Sequence, residues 1–263
     1  MPVAPRLKKR YGQHHLRHPG LCRPLIDFLR PRDHRVLEIG PGGGVLTGEL
    51  IRAGGRVWAW EVDPEWALRL RRRLPGRPLS TVVGDALEIQ WTRLPAGTLV
   101  AGNLPYAIAT RLIQDLLAAA PGVRRAGFLV QAEVARRLTA GAGDSDYGSL
   151  SVLVRARAEA QHLGRVHRAS FRPPPKVDGA FIGLRRREQV VPAAQWAAFE
   201  TMVRLAFAQR RKTLRNALAA RWGRRPVDKL LGVLGFPTTA RATELDLEQL
   251  IAVYRESRRL DLT

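Results

Sequence analysis

The sequence predicts an α/β fold, with a doubly wound sheet followed by a small all-helical domain. Between residues 35 and 131, short apolar runs alternate with segments of helical periodicity. The first apolar run ends in Gly40-Pro41-Gly42-Gly43-Gly44, and only helical segments follow residue 187. Strands that alternate with helices imply a mostly parallel sheet that is covered by helices.

The first part of the chain is predicted to contain strands over residues 35–39, 57–62, 81–83, 98–102 and 127–131. Helices are predicted over 45–53, from Pro64 onward, and over 109–120. Proline suits the first turn of a helix because an N–H at that position has no helical partner. The turn residues Pro121 and Gly122 end the last of these helices.

The pattern changes after residue 160. Two extended stretches, one ending near Phe171 and the other over 177–184, flank a run of three prolines, and we expect an antiparallel pair at the sheet edge. Helices are predicted over 193–208, 213–221, 227–234 and 247–257. A charged segment near the end of the second stretch indicates a solvated boundary between two domains. We therefore predict one domain over 1–187 and a helical domain over 188–263.

The composition favours a polyanionic partner. The chain has 263 residues and a net charge of +21, and only five of its 44 basic residues are lysines. Arginine forms bidentate contacts with phosphate and stacks on unpaired bases. A nucleic acid is therefore the favoured partner, and an anionic membrane surface is the weaker alternative.

The sequence predicts a cytoplasmic protein without a membrane span or a metal site. The single Cys22 excludes an internal disulfide and fits a reducing compartment. Polar residues follow the basic N-terminus where a signal peptide has an apolar core, and no stretch approaches the ~20 apolar residues of a membrane helix. The six histidines show no metal-ligand spacing.

The residues Asn103-Leu104-Pro105-Tyr106 indicate the chemistry most directly. They follow a predicted strand, and open α/β sheets bind ligands at the carboxyl ends of their strands. An exocyclic amine of a nucleobase is a poor nucleophile because its lone pair is delocalised into the ring. The side-chain oxygen of Asn103 and the carbonyl of Leu104 can accept its two N–H groups, and Tyr106 offers a face for stacking. The alternative, an Asn-Pro turn with a core tyrosine, is disfavoured by the motifs that precede it.

Those motifs predict a nucleoside cofactor. The glycine segment lets a ligand approach the backbone, and Glu61, at the end of the second strand, can accept both hydroxyls of a ribose. Asp85 ends the third strand and can bind an adenine amino group. NAD and S-adenosylmethionine share these features, but the amine-accepting loop favours S-adenosylmethionine. Helix capping or surface salt bridges are the disfavoured alternative for Glu38, Glu61 and Asp85, because carboxylates end three strands in succession.

In this order and combination, the motifs resemble the ribosomal RNA adenine N6-dimethyltransferase family, most closely its small-subunit (KsgA/RsmA) type. The resemblance covers most of the chain, from about residue 9 to residue 218. The matching segments are residues 9–16, 37–42, 61–63, 84–86, 103–106, 171–178 and 206–216.

The resemblance implies a Rossmann-like methyltransferase domain that uses S-adenosylmethionine, and a helical domain that helps to dock on the ribosome. The implied activity is N6,N6-dimethylation of adjacent adenosines near the 3′ end of 16S rRNA. The implied cofactor contacts are His14, Leu16, Gly40, Glu61, Asp85 and Asn103. Tyr106 and Phe171 would enclose the target base. The family usually reads Gln-Asn-Phe-Leu where this chain has Gln13-His14-His15-Leu16, and we interpret the cofactor contact there as mainly a backbone contact.

We expect RNA contacts from a basic helix that contains Arg210, Arg211, Lys212 and Arg215. The expected partner is ribosomal RNA in the small subunit, and nothing requires a dimer, so we expect a monomer. One alternative is a large-subunit (23S) rRNA adenine methyltransferase of the antibiotic-resistance type. Another is a non-catalytic RNA-binding assembly or transcription factor, which would have no need to keep Asn103 and Glu61. A dehydrogenase is the least favoured function.

Overall fold

The computed structural model describes Lys8 and residues 13–263, and it confirms the α/β class. The strands are β1 His15–Leu16, β2 Arg35–Ile39, β3 Arg56–Glu61, β4 Leu79–Val83, β5 Leu99–Asn103, β6 Arg125–Gln131, β7 Ala158–Val166, β8 Phe171–Arg172 and β9 Gly179–Arg186. The helices are α1 Arg23–Leu29, α2 Val45–Arg52, α3 Pro64–Arg73, α4 Ala109–Ala119, α5 Ala132–Thr139, α6 Ser149–Arg155, α7 Trp196–Ala206, α8 Leu214–Trp222, α9 Arg224–Val233 and α10 Leu247–Arg259.

The main sheet has the strand order β4-β3-β2-β5-β6-β9-β7. The pairs from β4 to β6 are parallel, whereas β9 runs antiparallel to β6. The chain moves outward from β2 to β4 and then returns to form β5 on the other side of β2. This reversal places the carboxyl ends of β2 and β5 side by side, at the crevice where doubly wound sheets bind their ligands.

Most elements of the first part lie where the sequence predicts them, with ends shifted by at most two residues. The predicted edge pair needs a correction. The sheet edge is formed by β9 and β7, whereas the chain at Phe171 leaves the sheet and forms β8, which pairs with β1. The short helices α1, α5 and α6 are absent from the predicted elements. They lack the long apolar periodicity that indicates a helix in a sequence.

The described part of the chain divides into two compact units, one that ends at residue 135 and continues over 159–186, and one over 136–158 and 187–263. The sequence assigns 136–158 to the first domain, but these residues group with the helical unit. The reason is a shared core, because Val152 and Leu153 of α6 pack with Phe199 of α7 and Tyr254 of α10. The boundary at 187, as a statement about independently folding domains, stays a prediction. None of the described helices has both the length and the apolarity that a bilayer span requires.

Gly102 allows β2 and β5 to approach closely beside the crevice. A Cβ at this position would lie 2.6 Å from the backbone oxygen of Ile39, which cannot move without shifting β2. By contrast, a Cβ on Gly48, in α2, meets no atom within 4 Å.

We therefore expect Gly102→Ala to lower the free energy of unfolding by roughly 1–3 kcal/mol, because it overpacks two core strands. Gly48→Ala is the matched control and should raise that free energy by up to about 1 kcal/mol, since alanine favours the helix. Chemical denaturation of both variants measures the difference. If Gly102→Ala unfolds at the wild-type denaturant concentration, the close contact between β2 and β5 is not a constraint.

Candidate active site

A cavity of about 590 Å³ lies at the carboxyl ends of β2, β3 and β5, in the first unit. This volume lies within the ~300–1,000 Å³ typical of small-molecule sites. The predicted residues that line it are His14, Gly40, Glu61, Asp85, Asn103, Leu104 and Tyr106. A smaller cavity of about 20 Å³ shares Gly40 and Asn103 with it and is also lined by Leu16. The fold thus gathers residues that are far apart in the sequence.

Glu61 is fixed by the backbone around the glycine segment. One of its carboxylate oxygens accepts the N–H of Gly42 at 3.0 Å, and the other accepts the N–H of Asp63 at 3.0 Å. Burial raises the pKa of Glu61, and these two hydrogen bonds oppose that rise. Each carboxylate oxygen keeps a further lone pair. Glu61 can therefore still accept the two hydroxyl groups of a ribose.

Asp85 and Trp60 form the neighbouring wall. Asp85 caps the turn that follows β4, because its Oδ1 accepts the N–H of Leu87 at 2.9 Å. Capping therefore accounts for one of its carboxylate oxygens. The indole N–H of Trp60 donates to the backbone oxygen of Asp85 at 3.1 Å, and Trp60 also lines the cavity. Trp60 is not among the residues predicted for the site, because a tryptophan within a strand is usually a core residue.

Asn103 ends β5 and is bound to the N-terminal segment. Its Nδ2 donates to the backbone oxygen of His14 at 2.7 Å. Since a carbonyl oxygen only accepts, this bond determines which end of the amide is the donor and leaves Oδ1 as an acceptor. The backbone N–H of Leu104 donates to Leu129 at 3.1 Å, which holds the next residue against β6. Two acceptors, Asn103 Oδ1 and the Leu104 carbonyl, are thus held at the cavity.

The two predicted aromatic residues differ in position. Tyr106 lines the cavity, and its hydroxyl is buried without a hydrogen-bond partner among the described residues. Burial, followed by the charge of Asp178, raises the pKa of Tyr106 to about 12. Phe171 is only 2% exposed, packs in the core and is not among the cavity's lining residues. In this conformation, the structure does not bring Phe171 and Tyr106 to opposite sides of a base, so their joint role stays a prediction.

The N-terminal segment is attached to the loop after β3. Lys8 Nζ lies 3.0 Å from Asp63 Oδ1 and 2.9 Å from Glu65 Oε1, and Gln13 Nε2 donates to Asp63 at 3.4 Å. The predicted motif residues 9–12 lie outside the described residues. No spacing rule in the sequence links Lys8 to Asp63, so this attachment could not be predicted.

His15 packs on the glycine segment. Its ring meets Trp66 edge-on, with centroids 4.4 Å apart, and its Nε2 would lie 2.7 Å from a Cβ on Gly42. The imidazole therefore supplies an aromatic ring at the position where the family usually has phenylalanine. Burial, with a smaller contribution from His14, lowers the pKa of His15 to about 4.

Glu38 lies beneath the same segment. It is 1% exposed and lines the smaller cavity, and burial raises its pKa to about 8. A carboxyl group with so high a pKa is typical of a functional site. Within the described residues, no group of three His, Cys, Asp or Glu side chains is placed to hold a metal ion.

The predicted RNA-binding residues lie in the helical unit, and their local structure needs a correction. Residues 207–213 connect α7 to α8 and do not form a basic helix. Arg210 donates to the backbone oxygens of Tyr147 and Ser145, and Arg215 forms a bidentate ion pair with Asp228. Both guanidinium groups therefore have protein partners, whereas Arg211 and Lys212 are exposed. The RNA contacts remain a prediction.

Known proteins resemble this chain over nearly its whole length. The family described as ribosomal RNA adenine dimethylase matches residues 4–257. The chain is 39% identical over 249 residues to the ribosomal RNA small subunit methyltransferase A of Bordetella bronchiseptica, covering 94% of this chain and 92% of that protein. It is 40% identical over 253 residues to the protein of the same name from Rubrobacter xylanophilus, covering 95% of each.

Two solved structures share the fold. A dimethyladenosine transferase from Plasmodium falciparum superposes with a TM-score of 0.82 at 25% identity, covering 95% of this chain and 99% of that one. The 23S rRNA methyltransferase ErmE gives a TM-score of 0.72 at 32% identity, covering 92% of this chain and 98% of that one.

We predict a pH dependence of stability that arises from His15. In the unfolded chain His15 takes up a proton near pH 6.5, but in the folded protein only near pH 4. The unfolded state therefore binds more protons between these values, and the free energy of unfolding falls as the pH falls through this window. From pH 7 to pH 5, wild type should lose roughly 1–2 kcal/mol more than His15→Phe.

Chemical denaturation of both proteins at pH 7 and pH 5 measures this difference. His162→Gln, which replaces an exposed histidine, is the control and should follow wild type. Equal losses in wild type and His15→Phe would show that His15 is not buried in its neutral form.

Proposed function

The chain belongs to the ribosomal RNA adenine dimethylase family, and we propose that it dimethylates N6 of adjacent adenosines near the 3′ end of 16S rRNA during ribosome biogenesis. It is a methyltransferase, and its methyl donor is S-adenosylmethionine. The observation that carries the proposal is the hydrogen bond from Asn103 Nδ2 to His14, which leaves Oδ1 as an acceptor at the cavity. This is the arrangement that an amine nucleophile requires.

In the proposed mechanism, the chain positions and polarises the target amine. The adenine is extruded from its stack and its face rests on Tyr106. Asn103 Oδ1 and the Leu104 carbonyl accept the two N6 hydrogens, which draws the lone pair out of conjugation with the ring. The proton that N6 loses passes to solvent, because N6 becomes acidic once it is alkylated. Positioning and electrostatic stabilisation supply most of the rate enhancement.

The cavity residues fit the proposed cofactor. The lone pairs that remain on Glu61 suit a ribose diol, and the second carboxylate oxygen of Asp85 suits an adenine amino group. Gly40, with a φ of 66°, adopts a backbone conformation that favours glycine, and a Cβ at this position would lie 3.6 Å from the backbone oxygen of Asn103. When bound, S-adenosylmethionine supplies a methyl group on a positively charged sulfur.

Two alternatives are less well supported. A 23S rRNA methyltransferase has the same fold, as ErmE does, but the curated relatives at 39–40% identity are small-subunit methyltransferases. A non-catalytic RNA-binding factor has no need for an acceptor pair at a cavity.

Labelled S-adenosylmethionine, offered with isolated small subunits or with protein-free large-subunit RNA, separates the three functions. Transfer to the small subunit, mapped to adenine N6, supports the proposal, and transfer to large-subunit RNA alone contradicts it.

We expect Asn103→Ala to reduce kcat for methyl transfer by roughly 100-fold or more, as when one preorganised hydrogen-bonding group is removed from other active sites. The initial rate on small subunits measures kcat, and calorimetry measures the Kd of S-adenosylmethionine. Transfer within a few-fold of wild type, with cofactor binding intact, would show that Asn103 does not activate the amine.

For RNA binding, we expect the double variant Arg211→Gln/Lys212→Gln to lose about two phosphate contacts. The dependence of log K on log salt should then become shallower by roughly 2 units. Arg255→Gln/Arg258→Gln removes the same charge from exposed positions on α10 and is the matched control. Binding to 16S rRNA over a salt series measures both slopes. If the slope changes equally in the control, RNA binding depends on the net charge of the protein and not on the position of these two residues.

A further inference from the structure

One face of the main sheet carries two tryptophans that are not part of the packed core beneath α2 and α3. Side chains alternate between the two faces of a strand. In β3, Val57 and Ala59 are buried in the core that α2 and α3 cover. Trp58 and Trp60 therefore point to the opposite face, where both are partly exposed. Large aromatic side chains on an accessible sheet face indicate an interaction surface.

The neighbouring strand leaves this face open. In the parallel register of β3 and β4, Ser80 lies beside Trp58, and Val82 lies beside Trp60. The strand β4 is at the edge of the sheet, so no further strand borders it. Ser80 is exposed and is too small to cover an indole, and Val82 is 41% exposed. The two rings are thus accessible along the edge of the sheet.

Two arginines flank the tryptophans. Arg35 and Arg56 are register partners at the start of β2 and β3, and both are exposed. The Arg35 guanidinium lies over the Trp58 ring, 5.6 Å from its centroid, which is a cation–π contact. Within the described residues, neither arginine forms an ion pair with a carboxylate. Two like charges side by side without an acidic partner favour an anion at this place.

The face continues to the large cavity, because Trp60 belongs to both. The ring of Trp60 is held in place, since its indole N–H donates to the backbone oxygen of Asp85 at 3.1 Å. A ring that is already oriented loses little conformational freedom when a base stacks on it. From Arg56 to Trp60 the strand rises by about 13 Å, at ~3.3 Å per residue, which leaves room for more than one base.

We propose that this tryptophan face, formed by Arg35, Arg56, Trp58, Trp60 and Val82, binds unpaired RNA. Bases stack on the indole rings, and phosphates contact the two arginines. Aromatic side chains on an open sheet face bind single-stranded RNA in this way in other folds. A duplex does not fit, because its bases are already stacked on one another. That the RNA is a stretch of the ribosomal substrate rests on the proposed function, whereas the binding itself does not.

Substitutions of Trp58 test the stacking. The full chain is titrated into a labelled single-stranded RNA of about ten nucleotides, and fluorescence anisotropy gives the Kd. We expect Trp58→Ala to raise the Kd roughly tenfold and Trp58→Phe, which keeps a ring, to stay within about threefold of wild type. The Kd for a duplex of the same sequence should change less than about threefold. Trp222→Ala, which removes a partly exposed tryptophan from the end of α8, is the matched control.

The arginines are tested separately, with substitutions that affect exposed groups only. For the same single strand, Arg35→Gln/Arg56→Gln should make the dependence of log K on log salt shallower by about 1.4 units, at ~0.7 per phosphate contact. Arg255→Gln/Arg258→Gln removes the same charge from α10 and should leave more of the slope intact.

The inference is overturned if Trp58→Ala and Arg35→Gln/Arg56→Gln both bind the single strand as wild type does, or if Trp58→Phe is as impaired as Trp58→Ala. It is also overturned if Trp58→Ala weakens duplex binding equally, or if anionic phospholipid vesicles quench the tryptophan fluorescence and the RNA does not. RNA binding that depends on Trp58, in a protein that transfers no methyl group, would contradict the proposed function and support the tryptophan face. Methyl transfer together with RNA binding that does not depend on this face would do the reverse.

Discussion

One hydrogen bond, from the Asn103 amide to the backbone of His14, organises the site. It fixes the amide nitrogen as the donor, so that Oδ1 is left as an acceptor, and it joins the N-terminal segment to the end of β5. The bond lies where the chain reverses direction across the sheet, beside the contact between Gly102 and Ile39. A shift of β5 would therefore move the Asn103 amide and would also disturb the packing of β5 against β2. The position of the acceptor and the packing of these strands depend on each other.

Buried carboxyl groups lie near this hydrogen bond, and the structure compensates for the burial of each one differently. Glu61 is stabilised by two backbone N–H groups and can remain an acceptor. Glu38, at 1% exposure, has its pKa raised to about 8, which favours the neutral form. His15, on the glycine segment above, is held neutral by burial as well.

Part of the basic character of the chain serves its internal structure. Arg210 and Arg215 bind backbone oxygens and a carboxylate inside the helical unit, and Arg186 donates to carbonyls at the end of α4 in the other unit. Arginine can satisfy several carbonyls at once through its planar group of donors. A net charge of +21 therefore does not identify which basic side chains are available to bind phosphate groups.

The sequence by itself determined the sheet, the glycine segment, and the carboxylates and amide at the strand ends, because these follow from local periodicity and from the rule that ligands bind at strand ends. It also carried the motifs of the family. Only the tertiary structure decided that residues 136–158 join the helical unit, that Phe171 is in the core, and that His14 lies beside Tyr106. It likewise showed Lys8 paired with Asp63 and Arg215 with Asp228. These contacts join residues far apart in the chain or depend on side-chain direction, and neither leaves a period or a spacing that a sequence can display.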